Sequence, residues 1–344
     1  MNPPIFHRYG NDYLSAEEWG TLLRRDVRVA RALGTEPLAD ARHLLIPLPV
    51  NTTLPQTAAL NPADFIVRLT PATPRTVAET APYFATAARA ALDFPQVLAV
   101  LLSRTGDGSE RAVPIHDAPS TARVLAVMLI WSLPDTLSIG NERELLSDLR
   151  GYLTETARIG LPFGMTVTAL SDPADAARRA VSLCTLLRKV GRQTELRLLA
   201  HAGAWASRDV WRAVHGLGLV WGSMDLFHWF GTQSEQADTS QFRVLSSGNP
   251  PYFLPERAAE GERIPGLILE YDLPRSPDPV AVFDRMAIAL SYLGATLGGR
   301  PTTATGVELD ADALDSERDA LENAVRTLAD AGIAPGSDAA RRFF

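Results

Sequence analysis

The stretch of sequence that decides the fold is LILEYDLPRSPDPVAVFDRMAIALSYLGATLGG, residues Leu267–Gly299. Apolar and polar residues alternate through its first part, which is typical of a strand with one face in a core and the other face open. The core set is Leu267, Leu269, Tyr271 and Leu273, and the open set is Ile268, Glu270 and Asp272. Asp278 then precedes Pro279, an N-cap followed by proline at the first helical position, where no N–H is needed. The pattern therefore predicts a strand followed by a long helix over 279–297.

A second junction of this kind lies upstream, in MTVTALSDPADAARRAVSLCTLLRKVG, residues Met165–Gly191. A strand ends at Leu170, and Asp172 stands before Pro173 as Asp278 stands before Pro279. We interpret the pair of junctions as the trace of a duplication. Cys184 falls on the inward stripe of this helix and is predicted to be a core residue.

The remaining patterns predict two successive series of strands and helices, one around each junction, which we call the first pass and the second pass. The first pass is predicted as strands 64–70, 96–103, 122–132 and 164–170 with helices 76–92, 142–158 and 173–190. The second is predicted as strands 195–202, 219–230, 242–247 and 266–273 with helices 207–217, 279–297 and 311–331. The predicted fold class is α+β, two tandem split βαβ two-layer domains with antiparallel sheets and helices on one face.

An N-terminal helix precedes these two passes. Ser15 and Glu18 form a capping box that predicts a helix over 16–33, and residues 47–62 read as a proline-rich linker. The domain boundaries expected are 1–62 for this helix and linker, 63–192 for the first copy and 193–344 for the second.

Composition limits the classes of function. The 344 residues are 46% hydrophobic and 21% charged, which is typical of a folded globular protein. A formal net charge of −7 disfavours binding to a phosphate backbone, so no nucleic acid is expected. The single cysteine fits a reducing compartment. The most apolar run, Val124–Trp131, is too short to cross a bilayer. We expect a cytoplasmic protein, and leave open attachment to the inner membrane face through partners or a missing N-terminal anchor.

Motifs for catalysis are not found in the sequence. None of the six histidines is paired at metal-ligand spacing, and the sequence contains no HExxH, GxSxG, CxxC or Walker A motif. Glycines 216, 218 and 222 follow a helix and enter a strand, the reverse of the order that a dinucleotide loop requires. We predict a binding protein, with no catalytic residue, no metal and no cofactor.

The second pass resembles a known family. LGLVWGSMDLFH (Leu217–His228), the stretch Ile264–Gly299 and the acidic last helix are similar to the C-terminal domain of ZipA, the bacterial division protein that binds the tail of FtsZ. The shared features are the G-x-M before the second strand, the Pro-Gly opening the later strand and the long helix ending in Gly-Gly. The resemblance covers about residues 193–333. It implies an open sheet face on which the FtsZ C-terminal tail lies in an apolar cleft.

When the cleft positions of the family are matched to this sequence one at a time, the resemblance implies partner-binding residues of which some are apolar and others polar. The methionine of the family is kept as Met224, and the next cleft position is Leu245, still apolar. Two apolar positions become polar, with Ser247 for a methionine and Glu270 for an aromatic residue, and the position of a lysine is taken by Asn249. The implied binding set, with the residues that alternate onto the same face, is Glu195, Arg197, Met224, Leu245, Ser247, Asn249, Ile268 and Glu270.

The charges on this face leave two hypotheses. The first is a non-enzymatic protein of division septum assembly that binds FtsZ, or another division partner, at the Z-ring. The second is a tandem-domain scaffold that has lost the FtsZ cleft and associates with itself as a homo-oligomer. The second is motivated by the duplication and by the charges on the open face. Each methylene of apolar contact that is lost weakens the free energy of peptide binding by about 0.8 kcal/mol. A nucleic-acid-binding role is third, because the open strands carry no row of stacking aromatics. An enzyme is last.

Overall fold

The computed structural model describes residues 27–45, 64–80, 97–104, 110–114, 118–133, 141–161, 164–190, 193–230, 240–337 and 339–340. The chain divides into two compact units. The central unit contains residues 55–190 and 330–344, and the C-terminal unit contains residues 1–54 and 191–329. Part of the N-terminal region therefore belongs to the C-terminal unit and is not a separate segment. Most of the predicted helix 16–33 and the linker 47–62 lie outside the described residues.

The central unit has a mixed complement of strands and helices. After the helix α1 (Val27–Leu33), which belongs to the other unit, its elements are β1 (Asp64–Pro71), β2 (Arg75–Thr76), β3 (Val97–Arg104), β4 (Glu110–Pro114), β5 (Arg123–Ser132), α2 (Glu142–Gly160), β6 (Met165–Ala169) and α3 (Pro173–Val190). The sheet has the order β4-β3-β5-β1-β6, with β2 pairing β5. Strand β5 is buried on both faces, since Val127 and Met128 are 0% and 6% exposed, as its apolar sequence predicts.

The C-terminal unit continues the chain from residue 193. Its elements are β7 (Gln193–Ala200), β8 (Trp205–Ala206), α4 (Ser207–Gly216), β9 (Val220–Trp221), β10 (Phe227–Trp229), β11 (Phe242–Ser246), α5 (Pro255–Ala259), β12 (Arg263–Ile264), β13 (Gly266–Asp272), α6 (Pro279–Leu297), β14 (Gly299–Thr303) and α7 (Ala311–Asp330). The main sheet has the order β14-β7-β13-β11-β10-β9, and β8 and β12 pair separately.

The core of the C-terminal unit lies between this sheet and its helices. Leu196, Leu269, Val244 and Phe227 stand opposite one another on four neighbouring strands, and each is at most 1% exposed. Helix α6 buries a facing stripe of Val282, Phe283, Met286, Leu290 and Leu293. The α+β class with antiparallel sheets is confirmed, and the apolar alternation correctly identified the inner face.

Among the described residues, the predicted longer elements agree with the structure to within a few residues, except for one strand that is interrupted, and several short elements, β14 among them, were not predicted. The predicted strand 219–230 is interrupted at Ser223–Asp225 by a turn in which Met224 and Asp225 have φ of 61° and 57°. A backbone in the left-handed region cannot continue a ladder, so the strand splits into β9 and β10. Strand β14 was missed because its sequence, GRPTT, contains glycine and proline, which are poor strand formers.

The predicted alignment of the two halves is wrong. It paired β6–α3 with β13–α6, but β6 lies beside β1 at one end of its sheet, whereas β13 lies between β7 and β11. The Asp-Pro junction misled the prediction, because the same capping chemistry starts many helices. In the sheet of the central unit β1 lies between β5 and β6, which α2 connects along the chain. In the sheet of the C-terminal unit β7 lies between β13 and β14, which α6 connects in the same way. The opposite edges differ: β3 and then β4 follow β5, whereas β11, β10 and β9 follow β13. Duplication of the domain stays a prediction.

Residues 27–45, called the arm here, pack against α4 and α5 of the C-terminal unit. Val29, Ala32 and Leu33 are at most 2% exposed. The Arg28 guanidinium pairs with Glu256 and lies 5.4 Å from the centroid of the Trp221 ring. The arm is therefore held by apolar burial and by a cation–π contact together.

Hydrogen bonds also fix the arm to α4. The N–H of Ala41 donates to the carbonyl of Gly216 at 2.8 Å, and Arg212 Nε donates to the carbonyl of Leu33 at 2.8 Å. A Cβ on Gly216 would lie 2.4 Å from the carbonyl oxygen of Ala39. The contact requires glycine at the end of α4, where the arm approaches most closely.

One helix among the described residues, Pro279–Leu297, meets the length and composition of a membrane span. It is α6, and its apolar stripe is buried against the sheet of the C-terminal unit.

Candidate functional site: the outer face of the C-terminal sheet

The outer face of the C-terminal sheet, opposite the helices, carries two rows of side chains. In the first row Glu195, Glu270, Arg243 and His228 stand opposite one another on β7, β13, β11 and β10. In the second row Arg197, Ile268 and Leu245 do so. The first row is polar, and the second row combines two half-buried apolar side chains with one cation. We call these residues the outer face.

Ion pairs organise the polar row. Arg243 Nε donates to Glu270 Oε1 at 2.6 Å, and Arg243 Nη1 lies 3.8 Å from Asp272 Oδ2. Arg197 pairs with Glu195 on the same strand. The Glu270 side chain is 10% exposed, so removing Arg243 would leave a nearly buried carboxylate without its main partner. The centre of the outer face is therefore a fixed charged pair where the resemblance predicts apolar side chains.

A cavity of about 370 Å³ opens at one end of the outer face. Its lining comes from the β9–β10 turn, β10, β11, the end of β13 and the segment that follows β13. The residues that carry its chemistry are Met224, His228, Arg243, Glu270, Asp272 and Ser276. The volume is enough for one amino-acid side chain or a small polar molecule.

His228 forms one wall of this cavity and is neutral near pH 7. Burial lowers the pKa of His228, and the nearby Arg243 lowers it further, whereas the hydrogen bond with the carbonyl of Ser223 raises it. Nε2 lies 2.8 Å from the Ser223 oxygen, so Nε2 is the protonated nitrogen and donates to that carbonyl. The imidazole therefore supports the turn before β10 and adds no charge to the cavity.

Met224 stands at the rim of the cavity and is 77% exposed. Its turn is closed by the Asp225 N–H donating to the Gly222 carbonyl, and the Asp225 carbonyl accepts from Phe253 N–H. A large apolar side chain held out of the core by a left-handed backbone is typical of a contact surface for another molecule.

The predicted binding residues lie in three different parts of the C-terminal unit. Glu195, Arg197, Leu245, Ile268 and Glu270 lie together on the outer face. Met224 lies in a turn, not in a strand, and lines the cavity with Glu270. Ser247 and Asn249 follow β11, where the Ser247 N–H donates to the Gly266 carbonyl and Asn249–Pro250 is a cis peptide.

Sequence reasoning missed three cavity residues, namely His228, Arg243 and Ser276. Arg243 could have been found, because it alternates with Val244 and precedes Leu245 at the two-residue spacing of the same face. Ser276 gave no signal, since its burial depends on the path of the chain after β13.

Among the described residues, no group of three or more His, Cys, Asp or Glu side chains is arranged to hold a metal ion.

Comparison with known proteins identifies the domain type of this region. Residues 194–320 match the family model described as ZipA, C-terminal FtsZ-binding domain. The match begins in β7 and ends in α7, so it covers the whole sheet that carries the outer face. No curated protein matches the chain. The resemblance seen in the sequence is thereby confirmed for this region, and the arm and the central unit lie outside the match.

Proposed function

We propose that this chain is a non-enzymatic cell-division protein of ZipA type that binds the FtsZ C-terminal tail, or another division partner, on the outer face. The match of residues 194–320 to the FtsZ-binding domain of ZipA carries the proposal. The geometry supports it, because α6 packs on the inner face of the sheet and the side chains of four strands lie on the opposite, outer face. The proposed place of action is the cytoplasmic side of the division septum.

The apolar contribution to binding is assigned to the second row. Leu245 and Ile268 stand opposite each other on neighbouring strands and are half-buried, and Met224 is exposed at the cavity rim. An extended peptide crossing these residues would bury three apolar side chains and then meet the charged pair Arg243–Glu270. The cleft is therefore proposed to be shorter and more polar than an entirely apolar one.

Replacing Ile268 by serine is expected to weaken binding of the FtsZ tail by about tenfold or more. Burying one such side chain contributes about 1.5–3 kcal/mol, and 1.4 kcal/mol is a factor of ten in Kd. The measurement is a fluorescence anisotropy titration of a labelled FtsZ C-terminal peptide into the full chain.

Ile288→Ser is the matched control. Ile288 is 40% exposed on α6, in the helical layer, and its replacement is expected to leave Kd unchanged. Equal Kd values for the two variants would remove the outer face from the proposal. Failure of the unsubstituted protein to bind at about 100 μM peptide would remove the FtsZ tail as partner.

The second candidate is a scaffold that associates with itself. It is favoured by the Arg243–Glu270 pair, which occupies the centre of the face where apolar contact is expected. Light scattering distinguishes the two: a homo-oligomer that is abolished by Ile268→Ser supports the scaffold, and a monomer that binds the peptide supports the first proposal.

A further inference from the structure

The outer strand β6 of the central sheet lacks the features that normally prevent strands of two molecules from pairing. It lies at the end of the strand order, with β1 as its neighbour. Natural proteins protect such strands with proline, charged side chains, bulges or shortness. β14 contains Arg300 and Pro301, β4 ends at Pro114, and β9 has two residues. β6, with the sequence MTVTA, has none of these features and keeps a regular register along β1.

The exposure of neighbouring side chains shows that the sheet ends at β6. Leu69 on β1 is 0% exposed, whereas Val167, which stands opposite it on β6, is half-buried. Thr166 and Thr168, on the other face of β6, are exposed. Burial therefore falls from complete to partial within one strand spacing, which leaves β6 accessible from the side.

The backbone of β6 presents unpaired groups at regular intervals. The Leu170 N–H donates to β1 at 2.9 Å, and the Gly164 carbonyl accepts from the residue after β1 at 3.0 Å. Alternate residues of an antiparallel strand bond to the same neighbour, so the even-numbered residues bond to β1. The N–H and carbonyl groups of Met165, Val167 and Ala169 therefore point away from β1. Among the described residues, no backbone group pairs with them.

The order of residues makes this edge complementary to itself. When two copies of β6 pair antiparallel about a two-fold axis at Val167, the outward groups of Met165, Val167 and Ala169 form about six hydrogen bonds with those of the second copy. Thr166 then stands directly opposite Thr168 of the second copy, twice across the axis. Such threonine pairs stabilise antiparallel strands. An axis at Thr166 or at Thr168 would leave part of the edge unpaired.

We propose that the chain forms a symmetric dimer through β6, in which the central sheets of two copies join edge to edge. The same surface is used on both copies, so the assembly closes at the dimer. β4, at the other end of the sheet, ends at Pro114, which limits growth there. The inference does not rest on the proposed function, because residues 165–169 lie outside the ZipA match.

Sedimentation equilibrium of the full chain from roughly 5 to 500 μM tests the proposal and is expected to show a monomer in exchange with a dimer. Thr166→Lys with Thr168→Lys, the two-lysine variant, places two ammonium groups opposite each other on each side of the axis. It is expected to weaken self-association about tenfold or more. Both threonines are exposed, so circular dichroism and urea unfolding are expected to show an unchanged monomer.

Thr166→Lys with Thr168→Glu is the matched control. Each ammonium group then stands opposite a carboxylate of the second copy, so this variant is expected to dimerise at least as well as the unsubstituted chain. Hydrogen exchange gives a second measurement. The amides of Met165, Val167 and Ala169 are expected to exchange more slowly as the protein concentration rises, because these N–H groups become bonded in the dimer.

The outcomes separate this interface from self-association through the outer face. A monomer at every concentration, a dimer that persists in the two-lysine variant, or a dimer that is lost in the lysine–glutamate variant overturns the proposal. Ile268→Ser is expected to leave the β6 dimer intact, and a dimer that it abolishes is assigned to the outer face instead. The FtsZ peptide is titrated into the two-lysine variant as the monomer, and failure to bind there removes the proposed function without affecting the β6 dimer.

Discussion

Alanine at position 216 is expected to destabilise the C-terminal unit by about 1–2 kcal/mol, the reverse of its usual effect in a helix. Gly216 ends α4, and its added Cβ would lie 2.4 Å from the carbonyl oxygen of Ala39 in the arm. Overpacking against backbone costs about 1–3 kcal/mol, which exceeds the gain of about 1 kcal/mol that alanine brings in a helix. Urea unfolding of the full chain measures the change.

Two comparisons show whether the arm is responsible. Gly151→Ala in α2, where a Cβ would meet nothing within 4 Å, is expected to stabilise by about 1 kcal/mol. In a chain that begins at residue 46, Gly216→Ala is expected to become neutral or stabilising, because Ala39 is gone. Stabilisation by Gly216→Ala in the full chain would contradict the packing of the arm on α4.

Acidification is expected to destabilise the C-terminal unit by about 3 kcal/mol between pH 7 and 4.5 through one residue, His215. This histidine is 2% exposed, with ring centroids of Trp211 and Phe227 at 5.9 and 5.2 Å. Burial lowers the pKa of His215 to about 3, although a hydrogen bond with the backbone of Leu219 opposes the shift. The native state therefore keeps the imidazole neutral.

The direction of the pH dependence follows from the number of protons that the folded and unfolded states bind. Unfolded His215 has a pKa near 6.5, so below that pH the unfolded state binds a proton that the native state does not. Stability is complete above pH 6.5 and falls by about 1.4 kcal/mol per pH unit as the pH approaches 3.

His215→Leu isolates the effect. The variant keeps an apolar side chain between Trp211 and Phe227 and cannot take up the proton. Between pH 7 and 4.5 its free energy of unfolding is therefore expected to fall by about 3 kcal/mol less than that of the unsubstituted protein. His228, whose pKa burial also lowers, is present in both proteins and cancels in the comparison. Urea unfolding followed by tryptophan fluorescence at several pH values gives the two curves. Parallel curves would contradict a neutral buried His215.

The sequence predicted the parts of the fold that depend on local chemistry. Helices over 173–190 and 279–297 were placed correctly, because an Asp-Pro start fixes a helix end within a few residues. The inner face of β13 was identified from alternation alone.

What the sequence could not predict depends on contacts between distant residues. The alternation at β13 placed Glu270 and Asp272 on the outer face, but nothing local shows that Arg243 lies opposite Glu270 on a neighbouring strand. The burial of Ser276 and the left-handed turn at Met224 depend in the same way on surrounding structure. The arm was missed entirely as part of the C-terminal unit, since its partner Gly216 is distant in the chain.

The two-part make-up of the C-terminal unit has a consequence for synthesis on the ribosome. The arm emerges first, and roughly 170 residues follow before Gly216 is made, about 10–35 s at usual translation rates. During that interval Val29, Ala32 and Leu33 have no native surface to cover them, while the strands of the central unit are being completed. The nascent chain therefore has to hold these apolar side chains uncovered until α4 is made, and that interval is where chaperones would act.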